Sequence, residues 1–163
     1  MGTGKVVYSI VVPIYNEEAV LPMLLHRLDR LLERLDAPAE VILVDDGSRD
    51  ISGMMAAARA QDNANYRYVG LSRNFGHQIA ITAGMDRAEG DAIIVMDADL
   101  QDPPEVVLDM IAKWREGYEI VYARRLSREG ESFLKLATAR MFYRLLRKLS
   151  SVDIPENVGD FRP

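Results

Sequence analysis

Short β-branched runs alternate with longer amphipathic stretches along most of this chain, and that alternation limits its fold more than any other feature. Residues 6–12, 40–44, 66–71, 91–96 and 119–122 read as strands. Several are almost continuously apolar, as strands covered on both faces are. Leu21, Leu24, Leu25, Leu28, Leu31, Leu32 and Leu35 recur at helical spacing and give one buried stripe. Asp102 followed by Pro103 and Pro104 reads as the cap and first turn of a helix carrying Val106, Val107, Met110, Ile111 and Trp114, with the tryptophan in the core. Strands separated by helices need right-handed crossovers, which build a mostly parallel sheet with helices on both faces. The expected fold class is α/β, Rossmann-like. At 163 residues, 48% of them apolar, the chain can bury one core unaided. It has no cysteine, which excludes disulfides, zinc-thiolate sites and thiol nucleophiles.

In open α/β sheets ligands bind beyond the carboxyl ends of the strands. The sequence is acidic there. Tyr15-Asn16-Glu17-Glu18 follows the first strand, Asp45-Asp46-Gly47-Ser48 closes the second, and Asp97-Ala98-Asp99-Leu100-Gln101-Asp102 follows the fourth. Clustered carboxylates repel unless a cation sits among them. Neither the dinucleotide fingerprint G-x-G-x-x-G nor the P-loop G-x-x-x-x-G-K-[ST] is present, so a glycine loop does not cradle phosphate here. The other way to hold a diphosphate is a divalent cation, Mg²⁺ or Mn²⁺, fixed by one or two carboxylates with phosphate oxygens and water. The D-x-D pair Asp97 and Asp99 suits that task; as a plain structural feature it is a solvated loop before a helix. Asp46 either makes an ordinary Asp-Gly-Ser turn or, with Asp45, accepts hydrogen bonds from a base or ribose. Tyr15 either offers its ring to a base or packs on Leu21. His26 belongs to a helix surface, and His77, after Gly76, to a helix start near the site.

Four ordered stretches carry a resemblance. Val12-Pro13-Ile14-Tyr15-Asn16-Glu17, Val44-Asp45-Asp46-Gly47-Ser48, Arg73-Asn74-Phe75-Gly76-His77 and Asp97-Ala98-Asp99-Leu100-Gln101-Asp102-Pro103-Pro104 resemble the signature of family 2 inverting glycosyltransferases of the GT-A fold. Within that family the chain is most similar to polyprenyl-phosphate sugar transferases. The likeness runs from about Ser9 to Arg162. It implies that Pro13, Tyr15, Glu17, Asp45 and Asp46 contact the nucleotide, that Asp97 lies beside the nucleotide or sugar, and that Asp99 with Gln101 holds the metal-diphosphate. It implies further that Arg125 and Arg128 bind the acceptor or donor phosphate, and that Asp160 faces the acceptor as base or positioning group. Arg73 and Asn74 match the family motif and position the site loops. Pro163 departs from the family, where an aliphatic residue is usual. The Q-x-x-R-W motif of processive synthases is absent, so the resemblance implies transfer of one sugar.

The net charge of −5 hides an asymmetry. Residues 124–148 carry +6 and the remainder −11. An acidic body does not suit nucleic acid. In the basic part, Leu134, Met141, Phe142, Leu145 and Leu149 fall on one side of a helical wheel, and Arg140, Arg144, Arg147 and Lys148 on the other. Such a helix either packs on its own sheet or lies in a membrane interface with its cations at the headgroups. A lipid-phosphate acceptor favours the interface. No apolar run approaches the eighteen or so residues of a membrane span. The expectation is therefore a donor-binding core over residues 1–128 and a basic, acceptor-side amphipathic segment over 129–163. Together they resemble the catalytic part of a longer enzyme at the cytoplasmic face of the cell membrane, with a homo-oligomer compatible. The expected reaction is metal-dependent inverting transfer from a nucleoside-diphosphate sugar, UDP-glucose before GDP-mannose, to polyprenyl phosphate. The alternatives are a sugar-1-phosphate nucleotidyltransferase and a catalytically incomplete nucleotide-binding domain.

Overall fold

The computed structural model describes residues 5–123. The chain divides after Ile120 into two units, and every helix and strand described lies in the first. Four strands form its sheet: β1 (Tyr8–Ile14), β2 (Ala39–Asp45), β3 (Tyr66–Gly70) and β4 (Ala92–Val95). Four helices connect or follow them: α1 (Leu21–Arg34), α2 (Ser52–Asp62), α3 (His77–Met85) and α4 (Val106–Arg115). The strand order is β3-β2-β1-β4 and all three pairings are parallel.

Alternation along the strands sorts side chains onto two faces. Tyr8, Ile10, Val12 and Ile14 of β1 meet Leu21, Leu24, Leu28 and Leu31 of α1, Ala56 of α2 and Val107 and Ile111 of α4 in one core. Trp114 packs at its edge, its ring edge-on to Tyr8 with centroids 6.0 Å apart. On the other face Val11, Ile42 and Val44 pack with Ala80 of α3. At the amino end of the sheet Glu40, almost fully buried, accepts hydrogen bonds from Ser9 Oγ (2.6 Å), the Glu89 N–H (2.8 Å) and Arg67 Nη1 (3.0 Å). A buried carboxylate is tolerable only with such donors.

Two expectations are corrected. Residues 119–122 form no strand; Ile120 and Tyr122 are exposed, and so short a run has no ladder to join among the described residues. Helix α4 begins at Val106, with Glu105 and not Asp102 at its N-cap. Pro103 and Pro104 make the preceding turn, their carbonyls accepting from the N–H groups of Val106 and Val107. Proline restrains the residue before it from helical geometry, so Pro104 delays the helix past Pro103.

Candidate active site at the carboxyl edge of the sheet

Strand order reverses direction around β1: the chain passes to β2 on one side and returns to β4 on the other. A crevice opens at such a switch point, and Pro13 widens it. The Val11 carbonyl faces β4 and accepts the Met96 N–H at 3.1 Å. Two residues on, Pro13 faces the same side beyond the last β1–β4 pair, Val11 with Val95, where no ladder N–H is required. The strands part there. The resulting cleft, about 320 Å³, is lined by Pro13, Tyr15, Glu17, Asp46, Asn74, Gly76, His77, Asp97 and Asp99, with Ile14, Ala80 and Ala98 in its walls.

The loops after β1, β2 and β3 are tied together by their own polar groups. Asn16, at φ 57°, receives the Arg49 N–H on its side-chain oxygen (2.8 Å) and gives its own N–H to Ser48 Oγ (3.0 Å). The Glu17 N–H donates to Ser52 Oγ at 2.8 Å. Asp46, only 3% exposed, accepts from the N–H groups of Phe75 (2.8 Å) and Gly76 (3.0 Å). Gly47 sits at φ 68°, and a Cβ there would lie 2.4 Å from the Arg73 carbonyl carbon, so the loop beyond β3 rests directly on it. Asp45 is turned inward: one oxygen accepts the Ser48 N–H (3.0 Å) and the other the Tyr68 hydroxyl (3.3 Å).

Electrostatics concentrate across the cleft. Burial first, then the charges of Asp99 and Asp50, raises the Glu17 carboxyl above its ordinary range. Asp97 and Asp99 are both exposed and flank the buried Ala98; Asp99 accepts the Gln101 N–H at 2.9 Å, across a turn with Leu100 at φ 58°. Asp97 Oδ1 lies 3.4 Å from His77 Nε2, an ion-pair distance. Among the described residues no three of His, Cys, Asp or Glu come together as a complete metal cage. Mg²⁺ and Mn²⁺ do not need one when phosphate and water supply the remaining ligands. The donors available are hard carboxylate oxygens beside the cleft, so the residues fit that kind of cation.

The structure thus brings Pro13, Tyr15, Glu17, Asp46, Asp97 and Asp99 to one cleft. It leaves Asp45 just behind the wall, and Gln101 in the adjoining loop. Asp160, Arg125 and Arg128, with the amphipathic segment, lie outside the described residues. Asn74 and His77 also line the cleft; from sequence, His77 belongs to a helix start near the site and Asn74 to the residues that position the site loops.

Fold and cleft define a parallel α/β domain with an oxygen-rich ligand site at the strand carboxyl ends. The chain belongs to glycosyl transferase family 2, whose model it matches over residues 9–163, and its fold is of the GT-A type. It is similar to an uncharacterised glycosyltransferase of Bacillus subtilis strain 168, with 53% identity over 155 residues, 95% of this chain and 48% of that protein. It is also similar to a prophage bactoprenol glucosyl transferase homologue of Escherichia coli K12, with 41% identity over 154 residues, 94% of this chain and 50% of the other. Among solved structures it resembles a mannosyltransferase of Pyrobaculum calidifontis in complex with GDP-Man and Mn²⁺, with a TM-score of 0.58 and 25% identity over 89% of this chain and 39% of that one. The chain spans about half the length of the curated relatives it matches.

Proposed function

We propose that the chain is the donor-binding catalytic part of an enzyme that transfers one sugar, with inversion, from a nucleoside-diphosphate sugar to a polyprenyl phosphate. The observation that carries this is the strand-end cleft, where Glu17, Asp97 and Asp99 converge beside Tyr15 and Pro13. The bactoprenol glucosyl transferase homologue supports a lipid-phosphate acceptor, and with it glucose as the sugar. UDP-glucose is therefore the favoured donor. Mn²⁺ in the Pyrobaculum mannosyltransferase complex supports a divalent cation, Mg²⁺ or Mn²⁺.

In this reading Asp99, with Gln101, holds the cation. When bound, the cation neutralises charge on the departing diphosphate. Tyr15 and Pro13 form a wall for the base, and Asp45 braces that wall from behind. Asp46 fixes the loop beyond β3 rather than the nucleotide, since both its oxygens accept backbone N–H groups. Asp97 orients the sugar end of the donor. Arg125 and Arg128 take the acceptor phosphate and Asp160 positions it, roles that rest on the resemblance alone. The phosphate acceptor is already anionic, so it needs little general-base help. Residues 1–128 serve as the donor core and 129–163 as the acceptor side, working at the inner surface of the cell membrane, with self-association compatible.

Incubation with UDP-glucose or GDP-mannose, Mg²⁺ or Mn²⁺, and polyprenyl phosphate tests the proposal. Formation of the glycolipid supports it. Pyrophosphate chemistry with a sugar 1-phosphate points to nucleotidyl transfer instead, and saturable donor binding without product to an incomplete domain.

A further inference from the structure

Three carboxylates besides buried Asp46 line the cleft, and among the described residues only one side chain there can carry positive charge. Glu17, Asp97 and Asp99 face inward from the loops after β1 and β4; His77 comes from the start of α3. Its Nε2 is 3.4 Å from Asp97 Oδ1, with both side chains about half exposed. That distance is too long for a well-formed hydrogen bond but within reach of one after a small rotation. The base of His77 is fixed from elsewhere. Asp46 holds the two peptide N–H groups immediately before it, at Phe75 and Gly76, and Gly47 supports the Arg73 backbone. Gly76, at φ 99°, then turns the chain so that the His77 side chain enters the cleft. Among the described residues, Asp97 is the only charged or hydrogen-bonding partner of the imidazole.

We propose that His77 is a positioning residue for the donor: its Nε2 donor restrains the Asp97 carboxylate in the orientation that receives the sugar nucleotide, and the Asp46-held loop places it there. The inference rests on the proposed function and assigns a role that the carboxylates cannot fill themselves. An unrestrained carboxylate beside Asp99 and Glu17 would rotate away from like charge. A neutral amide donor at the same place can do the same work, because the requirement is a donor at the Nε2 position and not a charge.

Calorimetric binding of UDP-glucose and of GDP-mannose, each with Mn²⁺, to the full chain tests this. His77→Leu should weaken binding of the preferred donor about tenfold, the order expected for losing one hydrogen bond to a charged group. His77→Gln, whose Nε2 can occupy the imidazole position, should restore it to within about twofold. Asp97→Asn combined with His77→Leu should bind no more weakly than Asp97→Asn alone, since the histidine acts through the aspartate. Unchanged donor affinity in His77→Leu, failure of glutamine to rescue, or losses that multiply in the double variant would each overturn the assignment. Should the unsubstituted chain bind neither donor, the functional proposal fails and takes this inference with it. Circular dichroism melting of each variant separates these outcomes from misfolding.

Discussion

A buried carboxylate with both oxygens engaged by hydrogen-bond donors differs from one that faces open solvent, and the acidic residues in and beside this cleft divide along that line. Asp45 and Asp46 are buried and bonded; Asp97 and Asp99 are exposed. Asp99 is the residue whose charge is felt across the cleft at Glu17. Asp99→Asn should lower glycolipid formation by about 10²–10³-fold, the scale for removing a group that stabilises developing charge, with the fold and melting temperature retained; near-normal turnover would refute the role. Glu17 carries a pH signature. Its folded-state pKa is raised, so the folded protein holds the proton more tightly than the unfolded chain does. That contribution is complete below the ordinary glutamate value of 4.5 and is lost as pH rises through the folded pKa. Glu17→Gln, measured without metal, should therefore raise the melting temperature by about 1–2 °C at pH 7, and the gain should vanish near pH 4. The same substitution should weaken donor binding, a trade of function for stability. Residue identity announced which groups were acidic. It did not separate bonded from open carboxylates, because Asp46 meets Phe75 and Gly76 only after the intervening helix and strand have folded.

Among the elements, α3 meets the sheet through Gly84, which leaves no room for a side chain. A Cβ at Gly84 would lie 2.4 Å from Val11 Cγ1 and 2.9 Å from Val44 Cγ2. Both valines are fully buried and cannot swing aside. Gly84→Ala gains about 1 kcal/mol of helix propensity, but overpacking costs about 1–3 kcal/mol. Gly84→Val adds more bulk at the same point and should lower the urea midpoint clearly, by the equivalent of about 2 kcal/mol, with the m-value unchanged. A midpoint equal to that of the native chain would show that α3 has room to move. Strands β1 and β2 were legible because their apolar runs are long and buried on both faces, and β3 and β4 from their shorter β-branched and aromatic runs. The segment 119–122 looked the same over four residues and is not a strand, since local composition cannot supply a neighbouring ladder. Helix α1 was legible from its leucine stripe. The start of α4 was displaced by Pro104, whose effect on Pro103 is itself a local rule. Pro13, unusual inside a central strand, lies where β1 and β4 stop pairing, although the run that reads as the first strand ends one residue before it.

At the scale of the whole molecule, charge is divided between an acidic part that contains the cleft and a basic one at residues 124–148. Among the described residues no helix is long and apolar enough to cross a membrane. The basic segment is the proposed site of attachment to a surface that carries a lipid-phosphate acceptor. Flotation with vesicles containing anionic lipid at low salt should carry the chain upward, with binding reduced at least several-fold when Arg140, Arg144, Arg147 and Lys148 are replaced by Gln. A chain that stays in the pellet fraction under both conditions would remove the membrane role from this segment.

The order β3-β2-β1-β4 also fixes when the cleft can exist. Strand β1 is made first yet sits inside the sheet, and Tyr8 waits for its partner Ala92 until most of the described chain has been synthesised. Pairings this distant in sequence are slow to form. A nascent chain that has emerged only as far as β3 displays one edge of its most apolar strand with nothing beside it, an edge open to other chains. Ligand cannot shelter that intermediate, because Asp97 and Asp99 arrive with the same strand that closes it. Slowing translation through residues 90–100 with synonymous rare codons should therefore lower the soluble yield of this chain.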